Sequence, residues 1–231
     1  MNQVEHILRS FPFSRKLLNP PISFKVTMAQ ASNFTFANIF QSHKDMPKPE
    51  IISLKEKLPK WLQGTFLFNG PGVFDITENF SVNHIADGYA VVGKFVIGRD
   101  KVSFYKTIVQ SDAYQKASQA GRTVLPEYGT KSSSDPTQGY LSKFKVPQPV
   151  ISDNANHGIF TLGKEIFVSN GQTYLFSIDK TTLEIKKKYS SKKLFDLQSF
   201  AAHPYMGKDG SIFNIGVEAG ATIGARHVIL K

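Results

Sequence analysis

Between residues 158 and 189 the chain reads GIFTL, Gly163-Lys164, EIFVS, Asn170-Gly171, then TYLFSI, a polar segment from Asp179 to Thr182, and LEIKKKY. Each apolar run is too short for a packed helix, is rich in β-branched and aromatic residues, and is bounded by residues that reverse the chain. Four such runs in succession constrain the segment to a four-stranded antiparallel meander. The pattern restarts after Asp196 with FAAHPYM, a Lys208-Asp209-Gly210 turn, SIFNIGVEA, a glycine-bearing turn and ARHVILK. It is also present earlier, where residues 91–97 and 102–109 flank Gly98-Arg99-Asp100 as a hairpin. Recurrent four-stranded units predict an all-β chain built of propeller blades, about three of them, across residues 31–231. Residues 111–150 are polar and proline-rich and read as a long excursion between blades.

Composition narrows the function. No run approaches the ~18 to 20 apolar residues that a membrane-crossing helix requires. The chain contains no cysteine, so disulfides and thiolate metal sites are excluded, a bound metal must be held by histidine and carboxylate, and a reducing intracellular compartment fits. The net charge is +10. Its densest group, Lys186, Lys187, Lys188, Lys192 and Lys193, lacks the arginines and interleaved aromatics of a nucleic-acid surface. Attraction to an anionic membrane surface is the better use of that charge. Residues 1–30 are broken by Pro12, Pro20 and Pro21 and carry Arg9, Arg15, Lys16 and Lys25 against Glu5. They read as a disordered extension, with a mitochondrial presequence as the alternative.

One ordered series of short motifs adds a specific identification. Asn69-Gly70-Pro71-Gly72 is followed by Asn83-His84, Asp87-Gly88, Ser111-Asp112 with Tyr114, and Glu127-Tyr128-Gly129-Thr130. Asp135-Pro136, Asp153-Asn154 and Ala202-His203-Pro204 complete the series. Individually these are turn-forming pieces of any β protein. In this order, from about residue 47 to residue 231, they resemble the N-terminal portion of the carotenoid cleavage oxygenases, a family that includes beta-carotene oxygenases and retinoid isomerohydrolases.

The resemblance implies a seven-bladed propeller in which four histidines hold one Fe(2+). Such a shell suits dioxygen chemistry, since neutral imidazoles leave ferrous iron electron-rich. His203 falls at the position of the first ligand and is expected to open an inner strand; the other three ligands are expected beyond Lys231. The implied reaction is oxidative cleavage of a carotenoid or apocarotenoid double bond by dioxygen to two carbonyl products. A non-catalytic carotenoid- or retinoid-binding protein, or a retinoid isomerohydrolase, is the alternative. Family members carry a glutamate that accepts a hydrogen bond from a ligand histidine. The matching position here is Gly171, with Gln172 or a one-residue slip as the other readings. Residues 139–150 interleave Tyr140, Leu141, Phe144 and Val146 with Lys143 and Lys145. They resemble the family's membrane-facing patch, or else pack as a half-buried loop. His84 is expected to donate from its ring to nearby backbone or to Asp87. The Asn69–Gly72 and Asp87-Gly88 segments read as turns, and Trp61, Phe66 and Phe68 read as core or closure packing. The compartment implied is cytoplasmic or peripheral to a membrane, with the mitochondrion as a further option.

Overall fold

The computed structural model describes residues 36–46, 48–133, 151–220 and 224–231. The extension 1–30, Asp135-Pro136 and the segment with Tyr140, Leu141, Phe144 and Val146 lie outside the described residues. After a 3-10 turn at Phe36–Phe40 come β1 (Glu50–Ser53), β2 (Gly64–Val73), the small hairpin β3 (Asp75–Thr77) and β4 (Phe80–Ser81), β5 (Tyr89–Ile97) and β6 (Lys101–Ile108). Helix α1 (Asp112–Ala120) precedes β7 (Gly158–Leu162), β8 (Glu165–Ser169), β9 (Tyr174–Ile178) and β10 (Ile185–Ser190). Helix α2 (Ser191–Phe195) leads into β11 (Ser199–Phe200), β12 (Tyr205–Met206), β13 (Ile212–Gly220) and β14 (Gly224–Leu230).

These strands make two four-stranded antiparallel sheets, ordered β1-β6-β5-β2 and β10-β9-β8-β7, and a third in which β13 pairs with β11 and β12 on one side and β14 on the other. The chain is therefore all-β and blade-built, as its strand spacing predicts. The third sheet differs in having three ranks of strand among the described residues, because β11 and β12 share one partner. Successive side chains of β5 face opposite ways, and both faces are covered near its start. Ala90 and Val92 pack with Val168, Phe176 and Ile178 of the second sheet. Tyr89 and Val91 pack with Phe74, Ile108 and Ala113, the last from α1.

The excursion after β6 begins with a helix that the sequence reading passed over. Ser111 caps α1 by accepting from the Tyr114 amide, and Gly121 ends it in the left-handed region. The carboxylate of Asp153 also accepts from the Asp112 and Ala113 amides at 3.1 and 2.8 Å. Two groups thus satisfy the first-turn donors that a helix leaves open.

Asn69-Gly70-Pro71-Gly72 is not a turn. It lies within β2, whose register runs from Gly64↔Ile97 to Val73↔Tyr89 with a bulge between Pro71 and Val73. Proline is tolerated there because β2 is an edge strand and the bulge leaves the ladder interrupted. Gly72 is small for packing, since a Cβ at this position would stand 2.5 Å from Val91 Cγ2. Trp61 is also not core, being 77% exposed. Phe66, Phe68, Phe95 and Phe104 instead stack along one face of the first sheet, with Phe95 and Phe104 centroids 4.6 Å apart.

Candidate functional site

His203 sits where a β-ladder is broken. Phe200 pairs with Gly216 and Tyr205 with Phe213, so residues 201–204 face only Asn214 and Ile215. The Ala201 amide donates to Ile215 O at 2.9 Å and Asn214 Nδ2 donates to Ala201 O at 3.0 Å, pinning the base of this two-residue bulge. Pro204 suits the break because it has no amide to contribute. The expected strand-opening position is thus corrected: His203 projects from a bulge between two short strands. Bulges of this kind re-aim a side chain away from the pleat.

Three sheets meet beside this bulge. Asn69 of β2 donates from Nδ2 to Ala155 O at 2.7 Å and to Gly158 O at 3.0 Å. Gly158, first residue of β7, lies so close to Ala202 that an added Cβ would stand 2.9 Å from the Ala202 carbonyl carbon and nearer still to its oxygen. Ser169 Oγ of β8 donates to that same oxygen at 3.3 Å. His157 and His203 therefore flank one backbone contact. The His157 imidazole is held below its usual range by burial of part of its ring and then by His203.

His157 also lines a cavity of about 200 Å³, together with Glu127, Tyr128, Ser152, Asn156 and Gln172. The walls come from four segments distant in sequence, around Ala86, Glu127, Asn154 and Asn170, which are locked by a buried polar layer. Asp87 is fully buried and accepts from the Gly129 amide at 3.0 Å and from Thr130 Oγ1 at 2.7 Å. Asn154 donates to Asp87 O and Gly88 O and accepts from the Ala90 amide. Asn156 donates to Ala86 O at 2.8 Å and Gly88 O at 2.7 Å, while its Oδ1 is buried with no hydrogen-bond partner. Glu127 accepts from Ser152 Oγ at 2.6 Å. Burial, reinforced by the charges of Asp87 and Asp153, pushes its carboxyl up to about 7 against the hydrogen bonds from Ser152 and Asn154.

His84 makes a backbone contact as expected but with the opposite sense: its Nδ1 accepts from the Ala86 amide at 3.1 Å, capping the 3-10 turn Ile85–Asp87. Asp87-Gly88 closes that turn, yet the larger role of Asp87 is the buried anchor for residues 129 and 130. Sequence reasoning assigned no role to Glu127, Asn154 or Asn156. The signal available was the density of amide and carboxylate side chains in SDNAN at 152–156, all five of whose residues are buried.

Gly171 adopts φ +67 and abuts Ala202, whose Cβ would lie 3.1 Å from an added Cβ. The Asn170 side chain holds this turn by accepting from the Gln172 and Tyr174 amides. A carboxylate-bearing residue at 171 would be both strained and crowded there. Gln172 is exposed and faces the cavity. As a metal ligand, His203 fits in part. Its ring is exposed and makes no hydrogen bond among the described residues, so either nitrogen is free to ligate. Among the described residues no three His, Asp or Glu side chains gather to complete a shell.

The family model described as retinal pigment epithelial membrane protein matches residues 39–230. The human beta,beta-carotene 15,15'-dioxygenase is 30% identical over 198 residues, covering 83% of this chain and 36% of that protein. A mitochondrial carotenoid-cleaving dioxygenase of Mustela putorius furo is 30% identical over 172 residues, covering 73% and 32%. The chain spans about a third of the length of these curated relatives. Among solved structures, a variant of the Synechocystis apocarotenoid oxygenase superposes with a TM-score of 0.61 at 19% identity, over 83% of this chain and 40% of that one. The cobalt-substituted Synechocystis protein gives 0.60 at 20% identity over the same shares. No helix among the described residues is long and apolar enough to cross a membrane.

Proposed function

The chain belongs to the retinal pigment epithelial membrane protein family of carotenoid-cleaving oxygenases, and from that membership we propose that it forms part of an Fe(2+)-dependent dioxygenase that cleaves a carotenoid or apocarotenoid double bond to two carbonyl products. The observation that carries this reading is the placement of His203: an exposed imidazole with no competing hydrogen bond among the described residues, projected by a bulge where three sheets converge.

In this reading His203 supplies one nitrogen to the iron, and the iron, when bound, supplies the activation of dioxygen. The protein's own share is positional. The bulge fixes the imidazole, the Asn69–Gly158–Ala202 contact fixes the bulge, and the adjoining cavity receives a segment of the substrate and keeps bulk water from it. Residues 139–150 provide the contact with a membrane surface from which a water-insoluble polyene is taken up. The mitochondrial relative makes that organelle one candidate compartment.

A carrier function is the second reading, favoured by Gly171, whose φ of +67 and contact with Ala202 leave no place for a carboxylate at that position. The deciding experiment incubates the native protein that contains these residues with Fe(2+), dioxygen and an apocarotenoid and follows the visible absorbance and the carbonyl products. The oxygenase reading expects bleaching with two carbonyl fragments, abolished in His203→Ala. Pigment that stays bound, coloured and intact in both proteins overturns it in favour of the carrier.

A further inference from the structure

The second sheet covers only one face of the first. Ala90 and Val92 of β5 point towards it, so Val91, Gly93 and Phe95 point the other way. On that other face the register sets Phe66, Phe95 and Phe104 in one row across the strands and Phe68, Gly93 and Lys106 in the next. The Phe68 ring lies over Gly93, where an added Cβ would collide with it, and runs within 6° of parallel to Phe104. These rings make an aromatic floor, yet Phe66 is 56% exposed and Phe68, Phe95 and Phe104 are only half-buried. The floor ends in a groove of about 360 Å³ that His43 and Lys106 share with Phe68, Pro71, Val91 and Phe104. Lys106 Nζ stands 3.0 Å from His43 Nδ1. An ammonium only donates, so Nδ1 accepts and the ring proton is assigned to Nε2. Main-chain contacts hold both residues, the His43 amide donating to Gly72 O at 2.7 Å and the Met46 amide to Lys106 O at 3.3 Å. Asp45 is committed elsewhere, accepting from Thr107 Oγ1 at 2.9 Å and the Ile108 amide at 2.6 Å. Among the described residues no carboxylate pairs with Lys106.

From this arrangement we propose that the face docks a further β-sheet of the same native polypeptide, apolar where it meets the phenylalanines and bearing an Asp or Glu whose carboxylate pairs with Lys106 and the His43 Nε2 proton. The groove offers donors and a positive charge, and a carboxylate is the side chain that is both acceptor-only and negative. The opposite face of the same sheet already packs on a sheet through Val168, Phe176 and Ile178, so an apolar sheet here continues an existing mode of contact. The chain spans about a third of the length of its curated relatives, which gives such a sheet a source. The ammonium makes the contact selective. An apolar sheet without the carboxylate would bury Lys106 unpaired, a cost that the apolar contact must then overcome. The inference is independent of the iron chemistry proposed for His203.

The test uses the native protein that contains these residues. A carbodiimide joins a lysine amine to a carboxylate already in contact with it, adding no spacer, and peptide mass spectrometry then identifies the pair. The expected product is an amide within single molecules between Lys106 and an Asp or Glu from outside residues 1–231. Acetylation supplies a second readout. Lys106 should react at least about tenfold more slowly than Lys101, an exposed lysine on the same strand, because its amine is released only when the docked sheet opens. Coupling to a carboxylate within residues 1–231, coupling only between two copies of the chain, or no coupling at all overturns the inference. So does acetylation of Lys106 at a rate within about twofold of Lys101. None of these results bears on the bleaching assay, so failure here leaves the oxygenase reading standing.

Discussion

Replacement of Gly158 by alanine tests whether the three-sheet contact beside His203 is as close as it stands here. The new Cβ would lie 2.9 Å from the Ala202 carbonyl carbon and 3.2 Å from its Cβ, with the carbonyl oxygen nearer than either. The obstacle is backbone, which cannot rotate away as a side-chain tip can. Both sides are tied, Gly158 O by Asn69 Nδ2 and Ala202 O by Ser169 Oγ. Relief therefore requires β7 and the bulge to move apart. Overpacking costs about 1–3 kcal/mol, and weakening of one tether adds about 1 kcal/mol. Part of this is offset by the lower chain entropy of alanine in the unfolded state, about 0.4–1 kcal/mol. The net expectation is about 2 kcal/mol, or a fall of about 4 to 8 °C in Tm for a chain of this size. Gly70→Ala is the matched control, since nothing lies within 4 Å of its Cβ position. Thermal unfolding followed by circular dichroism compares the two. If Gly158→Ala melts within about 2 °C of Gly70→Ala, the contact is not tight and the reasoning that positions His203 fails.

Other outcomes follow from the buried polar groups. Asp87→Ala strands the Gly129 amide and the Thr130 hydroxyl and should cost about 3 kcal/mol in urea unfolding; a loss under about 1 kcal/mol would show that water replaces the carboxylate. Lys188→Met leaves Asp153, whose side chain is only 2% exposed, without the ammonium now 2.5 Å away, and should cost about 3–5 kcal/mol. Lys186→Met breaks an exposed pair and should cost no more than about 1 kcal/mol. For Glu127, a folded-state pKa near 7 lies above the unfolded carboxylate value, so the folded state holds the extra proton between the two. Its contribution to stability is then fully present below about pH 4.5 and is lost as pH rises towards 7, by at most about 3 kcal/mol. Urea unfolding at pH 5 and pH 8 should show wild type losing stability relative to Glu127→Gln as pH increases; an unchanged gap would place the Glu127 pKa in the ordinary range.

The blades were legible because their signal is local. The GIFTL, EIFVS and TYLFSI runs became β7, β8 and β9 within a residue or so, since alternating apolar residues and a glycine at positive φ, as at Gly163 and Gly171, act over a few positions. Asn69–Gly72 lies within a strand for the complementary reason. Glycine and proline mark turns on average, but here Gly72 is small because Val91 lies across the strand, a contact no local pattern records. Helix α1 carried its signal openly in Ser111 and Gly121, but the polar character of the excursion obscured it. His203 stands out only through the ordered motifs of a family. Nothing within the residues around it foretells the bulge, because the bulge exists only relative to Asn214 and Ile215 on another strand. No local pattern marks Glu127 and Asn156, because they come together only where loops distant in sequence line one cavity.

The broken ladder around His203 makes the strand pairing of the blade independent of the imidazole it carries. β11 and β12 are already in register with the same partner, so a deletion of two residues between them would join them into one uninterrupted strand. The blade would keep its pairing and lose its imidazole in a single genetic step. On the proposed iron reading such a deletion removes a ligand and leaves the blade folded, so the number of residues between Phe200 and Tyr205 reports on that site independently of overall similarity.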